Sequence, residues 1–210
     1  MKFLVFDTET TGLPQGRNPS IYNTELWPHV IQLSYIVYCS DENKILSLVD
    51  DYIKINDDVV IEEKSQKIHN ISKDKLNTLG INIVDALNKF NKWAEQCELL
   101  IGHNVSFDKR MVIVEGIRNN IRMKVHTTYC TMKETTELCK IEREFRDGKK
   151  YFKYPSLSEL YNHLFDKIPK NTHNALTDIL ICMRCFYKIK FDTDIIRIDR
   201  TIRLMMRETY

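Results

Sequence analysis

The hydrophobic and polar positions of the chain change their spacing several times, and each spacing predicts one kind of element. Residues 2–6 form a mainly apolar run, which is typical of a strand buried on both faces. Residues 29–39, which partly alternate, and residues 45–55 predict two further strands on either side of a polar turn. Because short connections join antiparallel neighbours, these three segments predict an antiparallel meander.

Apolar residues at helical intervals dominate the chain from residue 61 onwards. This spacing predicts helices at residues 61–68, 72–76, 82–96, 111–117, 156–165 and 174–187. Short apolar runs at residues 99–102 and 127–131 predict a fourth and a fifth strand between the helices. A meander followed by strand, helix and strand predicts an α/β fold with a mixed five-stranded sheet flanked by helices.

Two carboxylates, Asp7 and Glu9, interrupt the apolar pattern at the end of the first strand. Residues two apart in a strand project to the same side, so these side chains converge. Like charges at one place are tolerable when they are solvated, protonated or bound to a cation, and oxygen ligands suit Mg²⁺ or Mn²⁺. The following Thr10, Thr11 and Gly12 predict a tight turn, whose backbone N–H groups can approach a substrate phosphate or base.

Composition limits the possible classes of function. The chain has 210 residues, of which 43% are hydrophobic and 29% charged, and its formal net charge is +2. These values predict a globular domain without the strongly basic surface of a nucleic-acid coat, so any nucleic-acid contact must come from local patches. No apolar run approaches the roughly 20 residues of a membrane span, and no signal peptide is evident. Six scattered cysteines favour an intracellular, reducing compartment: the cytoplasm or, in a eukaryotic or viral setting, the nucleus or a viral factory.

Three motifs in order resemble the DnaQ-like, DEDDh class of 3'-5' exonucleases, which have a ribonuclease H-like fold. The motifs are FDTETTGLP at residues 6–14, GHNVSFD at residues 102–108 and HNALTD at residues 173–178. The resemblance covers the chain to about residue 188 and implies an exonuclease domain at residues 1–188. Residues 189–210 would be a C-terminal tail that docks either on this domain or on a partner.

The resemblance implies that Asp7, Glu9, Asp108 and Asp178 hold two divalent metals, Mg²⁺ or Mn²⁺, and that His173 is the general base. A two-metal site of this kind supports in-line displacement at phosphorus. His173 and Asp178 are five residues apart, about 140° on a regular helix, so both cannot point inward from one helix. We therefore expect His173 in the loop that precedes the helix and Asp178 in its first turns.

The resemblance also implies a set of substrate contacts around the terminal nucleotide: Thr10, Thr11, Gly12, Leu13, His69, Asn104 and Phe107. Leu13 would wedge against a base, and Asn104 and Phe107 would lie beside the sugar and base. At residue 70 the family usually has glycine, and this chain has Asn70. The role of His69 therefore stays open between substrate contact and structural histidine.

Two regions are not explained by the resemblance. Residues 142–154 mix basic and aromatic side chains around an Asp147-Gly148 turn, which predicts either a hairpin that grips a strand or a solvated hairpin. Residues after 191 carry four arginines at helical spacing: Arg197, Arg200, Arg203 and Arg207.

The predicted function is a metal-dependent 3'-5' exonuclease that removes nucleoside 5'-monophosphates from the 3' end of single-stranded or unpaired DNA. Three alternatives remain: an exoribonuclease that trims RNA 3' ends or short oligoribonucleotides, a non-catalytic nucleic-acid-binding or polymerase-associated module, and a structural metal-binding protein. The predicted partner is a nucleic acid with a free 3' end, with a polymerase or a second copy of the chain as a further possibility, and no membrane.

Overall fold

The central strand of the protein carries the first acidic motif and pairs with neighbours on both sides. The computed structural model describes residues 1–170 and 172–209, so residue 171 of the predicted loop 168–172 and residue 210 of the predicted tail lie outside it. Five strands form one sheet in the order β3-β2-β1-β4-β5. Their bounds are β1 Lys2–Thr10, β2 Val30–Cys39, β3 Lys44–Tyr52, β4 Leu99–Gly102 and β5 Thr128–Cys130.

The direction of the strands confirms the predicted mixed sheet. β1 and β2 are antiparallel, with Lys2 opposite Cys39 and Asp7 opposite Ser34, and β2 and β3 are also antiparallel. β1 and β4 are parallel, as are β4 and β5. The three-stranded meander and the two parallel additions therefore form the five-stranded sheet that the hydrophobic pattern predicts.

Ten α-helices are described in residues 1–170 and 172–209, and the longest of them, α3, α4 and α8, pack on the sheet. Their bounds are α1 Glu63–His69, α2 Lys73–Leu79, α3 Ile83–Ala94, α4 Val105–Arg118, α5 Thr131–Glu134, α6 Thr136–Cys139, α7 Leu157–Phe165, α8 Ala175–Phe191, α9 Ile195–Ile198 and α10 Arg200–Met205. Short 3-10 segments lie at Thr24–Leu26 and Met206–Thr209. Ser156 and Glu159 form the predicted capping box of α7.

The hydrophobic core lies on the two faces of the sheet, and β1 contributes to both. Leu4 and Phe6 belong to a cluster with residues of α3 and α4, and the Phe6 ring lies 5.2 Å from that of Phe90. Phe3 and Val5 belong to a second cluster with residues of α7 and α8. Successive side chains of a strand alternate, so even positions of β1 face α3 and α4, and odd positions face α8.

Some predicted boundaries are wrong. β1 does not end at residue 6 but continues to Thr10, because Asp7 and Glu9 stay in the main-chain ladder opposite Ser34 and Gln32. β3 ends at Tyr52, and the following Ile53 forms a separate parallel bridge. α4 begins before residue 111, which places Asp108 in its first turn, and the short helices α5 and α6 have too few residues to show a periodic pattern.

The C-terminal segment packs on the body of the protein. α8 continues across the predicted boundary at residue 188 and ends at Phe191. Ile195, Ile202 and Met206 are fully buried in the same cluster as α8. Residues 189–209 therefore dock on their own domain, whereas the functional division at residue 188 stays a prediction.

A separate two-stranded sheet confirms that residues 142–154 contain a hairpin. Its strands are β6 Glu142–Glu144 and β7 Lys150–Phe152, which pair antiparallel. Across the described part of the chain, every helix is too short or too polar to span a bilayer.

Candidate active site

Three carboxylates converge on the α8 side of the sheet. Asp7 and Glu9 are odd positions of β1 and therefore project towards α8, where Asp178 lies in the first turn. One oxygen from each of these three side chains lies within 4.8 Å of the others. The predicted convergence of Asp7 and Glu9 is thus present, and α8 adds a third oxygen donor.

Asp178 is held with one oxygen bonded and the other without a partner. Its Oδ2 accepts a hydrogen bond of 3.1 Å from the backbone N–H of His173. Its Oδ1 is buried and has no hydrogen-bond partner among the described residues. A buried carboxylate oxygen without a donor is unfavourable, and a cation would satisfy it.

Asp108 approaches from the other side of β1. Its side chain is 3% exposed, and its Oδ1 accepts hydrogen bonds from Thr8 N at 3.1 Å and Thr8 Oγ1 at 2.8 Å. Asp108 is not in the group of three converging carboxylates, although its charge acts on Asp7. The structure therefore brings Asp7, Glu9 and Asp178 together and places Asp108 beside them, engaged by Thr8.

Burial raises the pKa of all four carboxyl groups. The pKa of Asp7 is raised well above its usual range, by burial first and then by the neighbouring carboxylates. Burial raises the pKa of Glu9 to about 8 and that of Asp178 to about 7, with neighbouring negative charges adding to both. For Asp108, burial raises the pKa to about 7 against the opposing hydrogen bonds from Thr8. Negative charge in this site is unfavourable without a cation, so the all-oxygen donor set fits a divalent metal such as Mg²⁺ or Mn²⁺.

His173 lies just outside α8, as the five-residue spacing predicts. Its side chain is exposed, and its φ of 67° places it in the left-handed region. The next residue, Asn174, is the N-cap of α8 and accepts a hydrogen bond from Thr177 N. Because Asn174 caps α8, the helix begins after His173 and the imidazole lies outside it. The backbone N–H of His173 is bonded to Asp178.

A cavity between the loop after β1 and the start of α4 gathers three of the predicted substrate contacts. Leu13, Asn104 and Phe107 line a cavity of about 340 Å³, together with Trp27 and Arg110. The Leu13 side chain is 66% exposed. Sequence reasoning missed Trp27 and Arg110, although Arg110 lies one helical turn after Phe107 and this spacing could have indicated it.

Thr10, Thr11 and Gly12 lie differently from the predicted turn. Thr10 is the last residue of β1, and its Oγ1 donates to Gly12 O at 2.7 Å. Thr11 Oγ1 accepts a hydrogen bond from His29 N at 2.9 Å. A Cβ atom at Gly12 would lie 2.3 Å from Glu62 Oε1, so a side chain there would displace Glu62. Both threonine hydroxyls thus form hydrogen bonds within the protein, because both side chains are buried.

His69 is a buried residue at the end of α1. Its Nδ1 accepts a hydrogen bond of 3.0 Å from Ile71 N, and its Nε2 has no partner among the described residues. Burial lowers the pKa of His69, and the backbone of Thr10 opposes this. Asn70 takes the left-handed conformation at φ 56°, which explains why Asn can replace Gly here. The Nδ1 bond supports a structural role, and the contact with the end of β1 places His69 beside the predicted substrate segment.

The fold and the half-buried carboxylate cluster are those of the ribonuclease H-like class. The family described as Exonuclease, RNase_T, matches residues 4–186. The chain therefore belongs to this exonuclease family, and the resemblance to DnaQ-like 3'-5' exonucleases is confirmed. The three converging carboxylates offer the oxygen ligands of the divalent metal ions that this family uses.

Solved structures with the same fold include three of exonuclease I. The E. coli enzyme in complex with a dA16 oligonucleotide has a TM-score of 0.67 and 19% identity, covering 90% of this chain and 41% of that one. Its complex with a dT13 oligonucleotide has a TM-score of 0.68 and 17% identity, covering 91% and 42%. A product-bound exonuclease I has a TM-score of 0.65 and 16% identity, covering 91% and 44%.

The present chain thus spans about two fifths of the length of these exonuclease I structures. At this level of identity they establish the shared fold. No curated protein matches the chain.

Proposed function

We propose that the protein removes nucleoside 5'-monophosphates from the 3' end of single-stranded or unpaired DNA. The observation that carries this proposal is the cluster of Asp7, Glu9 and Asp178, whose carboxylate oxygens lie within 4.8 Å of one another without a cationic side chain among them. The dA16 and dT13 oligonucleotides in the matched exonuclease I structures support DNA as the substrate.

Asp7, Glu9, Asp108 and Asp178 would hold two divalent ions, Mg²⁺ or Mn²⁺. When bound, such ions supply charge stabilisation to the phosphoryl oxygens and to the departing oxygen. Both hydrogen bonds from Thr8 end on Asp108 Oδ1, so Oδ2 is the oxygen that would meet an ion.

His173 is the residue proposed as general base. His173 is exposed and lies outside α8, and its backbone N–H donates to Asp178 Oδ2. Imidazole accepts a proton near neutral pH, so His173 would take the proton of the attacking water. The left-handed backbone keeps this side chain outside α8 and therefore able to face a bound 3' end.

The cavity lined by Leu13, Asn104 and Phe107 would receive the terminal base. Its volume of about 340 Å³ lies within the range of small-ligand pockets, about 300–1,000 Å³. Apolar and aromatic walls suit stacking on any base, which agrees with a nuclease that removes nucleotides in succession. This cavity wall would be positioned by residues that do not line it themselves: Thr10, Thr11, Gly12 and His69.

The proposal is tested by digestion of 5'-labelled single-stranded DNA, single-stranded RNA of the same sequence, and a duplex with a 3' mismatch. Each is incubated with Mg²⁺, with Mn²⁺ and with chelator, using wild type and Asp7→Asn. We expect a ladder of 5'-labelled products that shortens from the 3' end, requires metal and is absent with Asp7→Asn.

Matched controls separate the site from the surface. Asp58→Asn changes an exposed carboxylate outside the site and should cut like wild type.

Faster digestion of RNA than of DNA would replace the proposed substrate with RNA. Binding without cleavage in every lane would instead support a non-catalytic module. A polymerase or homodimer partner and the cellular compartment stay predictions.

A further inference from the structure

The hairpin formed by β6 and β7 has two chemically different faces. Residues directly opposite each other in an antiparallel pair share a face, and Arg143 lies opposite Tyr151. Phe145 N donates to Lys149 O at 2.8 Å, which continues the same register. One face therefore carries Arg143, Phe145, Lys149 and Tyr151, and contains no acidic side chain.

The opposite face has a different composition. Glu142 lies opposite Phe152, and Glu144 lies opposite Lys150. Lys150 Nζ forms an ion pair of 2.6 Å with Glu142, and Glu144 adds a further negative charge, so this face carries no net positive charge. The positive charge of the hairpin is thus concentrated on the face that carries Phe145 and Tyr151, which we call the basic-aromatic face.

The two aromatic rings of the basic-aromatic face are stacked and open to solvent. Their centroids lie 4.2 Å apart with an interplanar angle of 25°. Phe145 is 53% exposed and Tyr151 39% exposed. Exposed aromatic rings beside basic side chains are the arrangement by which proteins hold single-stranded nucleic acid without regard to sequence.

The charge beside these rings is available to an anion. Arg143 makes no ion pair among the described residues. Lys149 has an exposed ion pair of 3.3 Å with Asp147 in the turn, a kind of contact that water and salt weaken. A phosphate backbone would therefore meet at least one unpaired positive charge next to the stacked rings.

The base of the hairpin is anchored to α7 and to the residue that follows β4. Lys153 N donates to Ile141 O at 2.9 Å, and Lys153 Nζ pairs with Glu159 of α7 at 2.6 Å. His103 Nε2 lies 3.0 Å from Pro155 O, immediately after the hairpin. His103 is followed by Asn104, which lines the cavity proposed for the terminal base.

We propose that the basic-aromatic face binds the single strand upstream of the nucleotide being removed. Bases would stack on Phe145 and Tyr151 while phosphates contact Arg143 and Lys149. The hairpin rises about 3.3 Å per residue from its anchored base, so the face is long enough for several nucleotides. This inference rests on the proposed function, since it concerns how the same substrate strand is held.

The experiment compares Phe145→Ala/Tyr151→Ala with Phe152→Ala, which removes an exposed aromatic ring from the opposite face. Each protein digests a 5'-labelled 20-nucleotide DNA and a trinucleotide with the same 3' end. We expect the double variant to raise the KM for the long strand roughly tenfold or more and to leave kcat/KM for the trinucleotide unchanged. Phe152→Ala should match wild type on both substrates.

Two further variants keep the test independent of folding. The exchange Phe145→Tyr/Tyr151→Phe keeps both rings and should restore wild-type KM. Arg143→Gln keeps the stacked rings. It should make the slope of log DNA-binding constant against log salt concentration less steep by about one.

Equal losses on both DNA lengths, an effect of Phe152→Ala as large as that of the double variant, or no effect on the long strand would overturn the inference. If the double variant has no effect on the long strand while Asp7→Asn is still inactive, the proposed function stands and only this inference is overturned. Cleavage by Asp7→Asn would count against the proposed function itself.

Discussion

The acidic cluster and the hairpin place their charges in opposite environments. Asp7, Glu9 and Asp178 are at least partly buried, and burial and mutual repulsion raise the pKa of each. The basic side chains of the hairpin are exposed, and Lys150 is paired with Glu142. Removing a charge from the cluster should therefore change both folding and chemistry, whereas removing one from the hairpin should change binding alone.

The largest expected effect follows from Asp7→Asn. Turnover should fall to background because the site loses a metal ligand, yet the metal-free protein should melt at a higher temperature because a buried negative charge is gone. Each 1 kcal/mol corresponds to about 2–4 °C for a domain of this size. Thermal unfolding in chelator checks this prediction, and an unchanged or lower melting temperature would contradict it.

The next effect concerns His173, which is exposed although it adjoins the cluster. His173→Ala should lower kcat by about 10²–10⁴-fold, the usual contribution of a general base, with little change in melting temperature. Single-turnover digestion with saturating DNA measures this. His126→Ala alters another exposed histidine and should behave as wild type. A loss below tenfold for His173→Ala would mean that another group accepts the proton.

The dependence of the free energy of unfolding on pH tests the acidic site without any substitution. The pKa values of Glu9, about 8, and of Asp108 and Asp178, about 7, lie above those of the unfolded chain. The folded state then binds protons that the unfolded state does not, so metal-free stability should rise as pH falls from about 8 towards 5. Mn²⁺ should raise the melting temperature most at pH 8 and progressively less at lower pH. Equal melting temperatures with metal and chelator at pH 8 would contradict the metal site.

The smallest effect concerns His103, which follows β4 and contacts the segment after the hairpin. Its Nδ1 contacts Thr131 Oγ1 and its Nε2 contacts Pro155 O, and burial lowers its pKa to about 4. The unfolded chain takes up a proton below about pH 6.5, so His103 should destabilise the fold by about 2 kcal/mol between pH 6.5 and 5. Urea titrations of wild type and His103→Gln at both pH values measure this difference. An identical pH dependence in the two proteins would contradict it.

Much of the fold could be predicted because its signals are local. The apolar run of β1, the helical spacing of α3 and the capping box of α7 lie at the expected places. The length of β1 could not be predicted, since Asp7 and Glu9 are poor strand formers that stay in the ladder through their partners on β2. Pairing with a distant segment is a tertiary effect.

The site shows the same division between local and tertiary information. The resemblance implied the positions of Asp7, Glu9 and Asp178, and the alternation of β1 explains why the first two face α8. The hydrogen bonds from Thr8 to Asp108 and the left-handed backbone of Asn104 leave no pattern in the sequence. Trp27, which lines the cavity, comes from the connection between β1 and β2, outside the three motifs.

The position of β1 determines how the protein should lose activity on heating. β1 is bonded to β2 along its length and to β4 on its other edge, so its amide hydrogens should be among the slowest to exchange. Asp7 and Glu9 would then keep their places until the whole domain opens. His173 is exposed outside α8, and its backbone N–H is bonded to a side chain, Asp178 Oδ2, rather than to a strand, so His173 should lose its position first. Transient inactivation that reverses on cooling should therefore precede global unfolding.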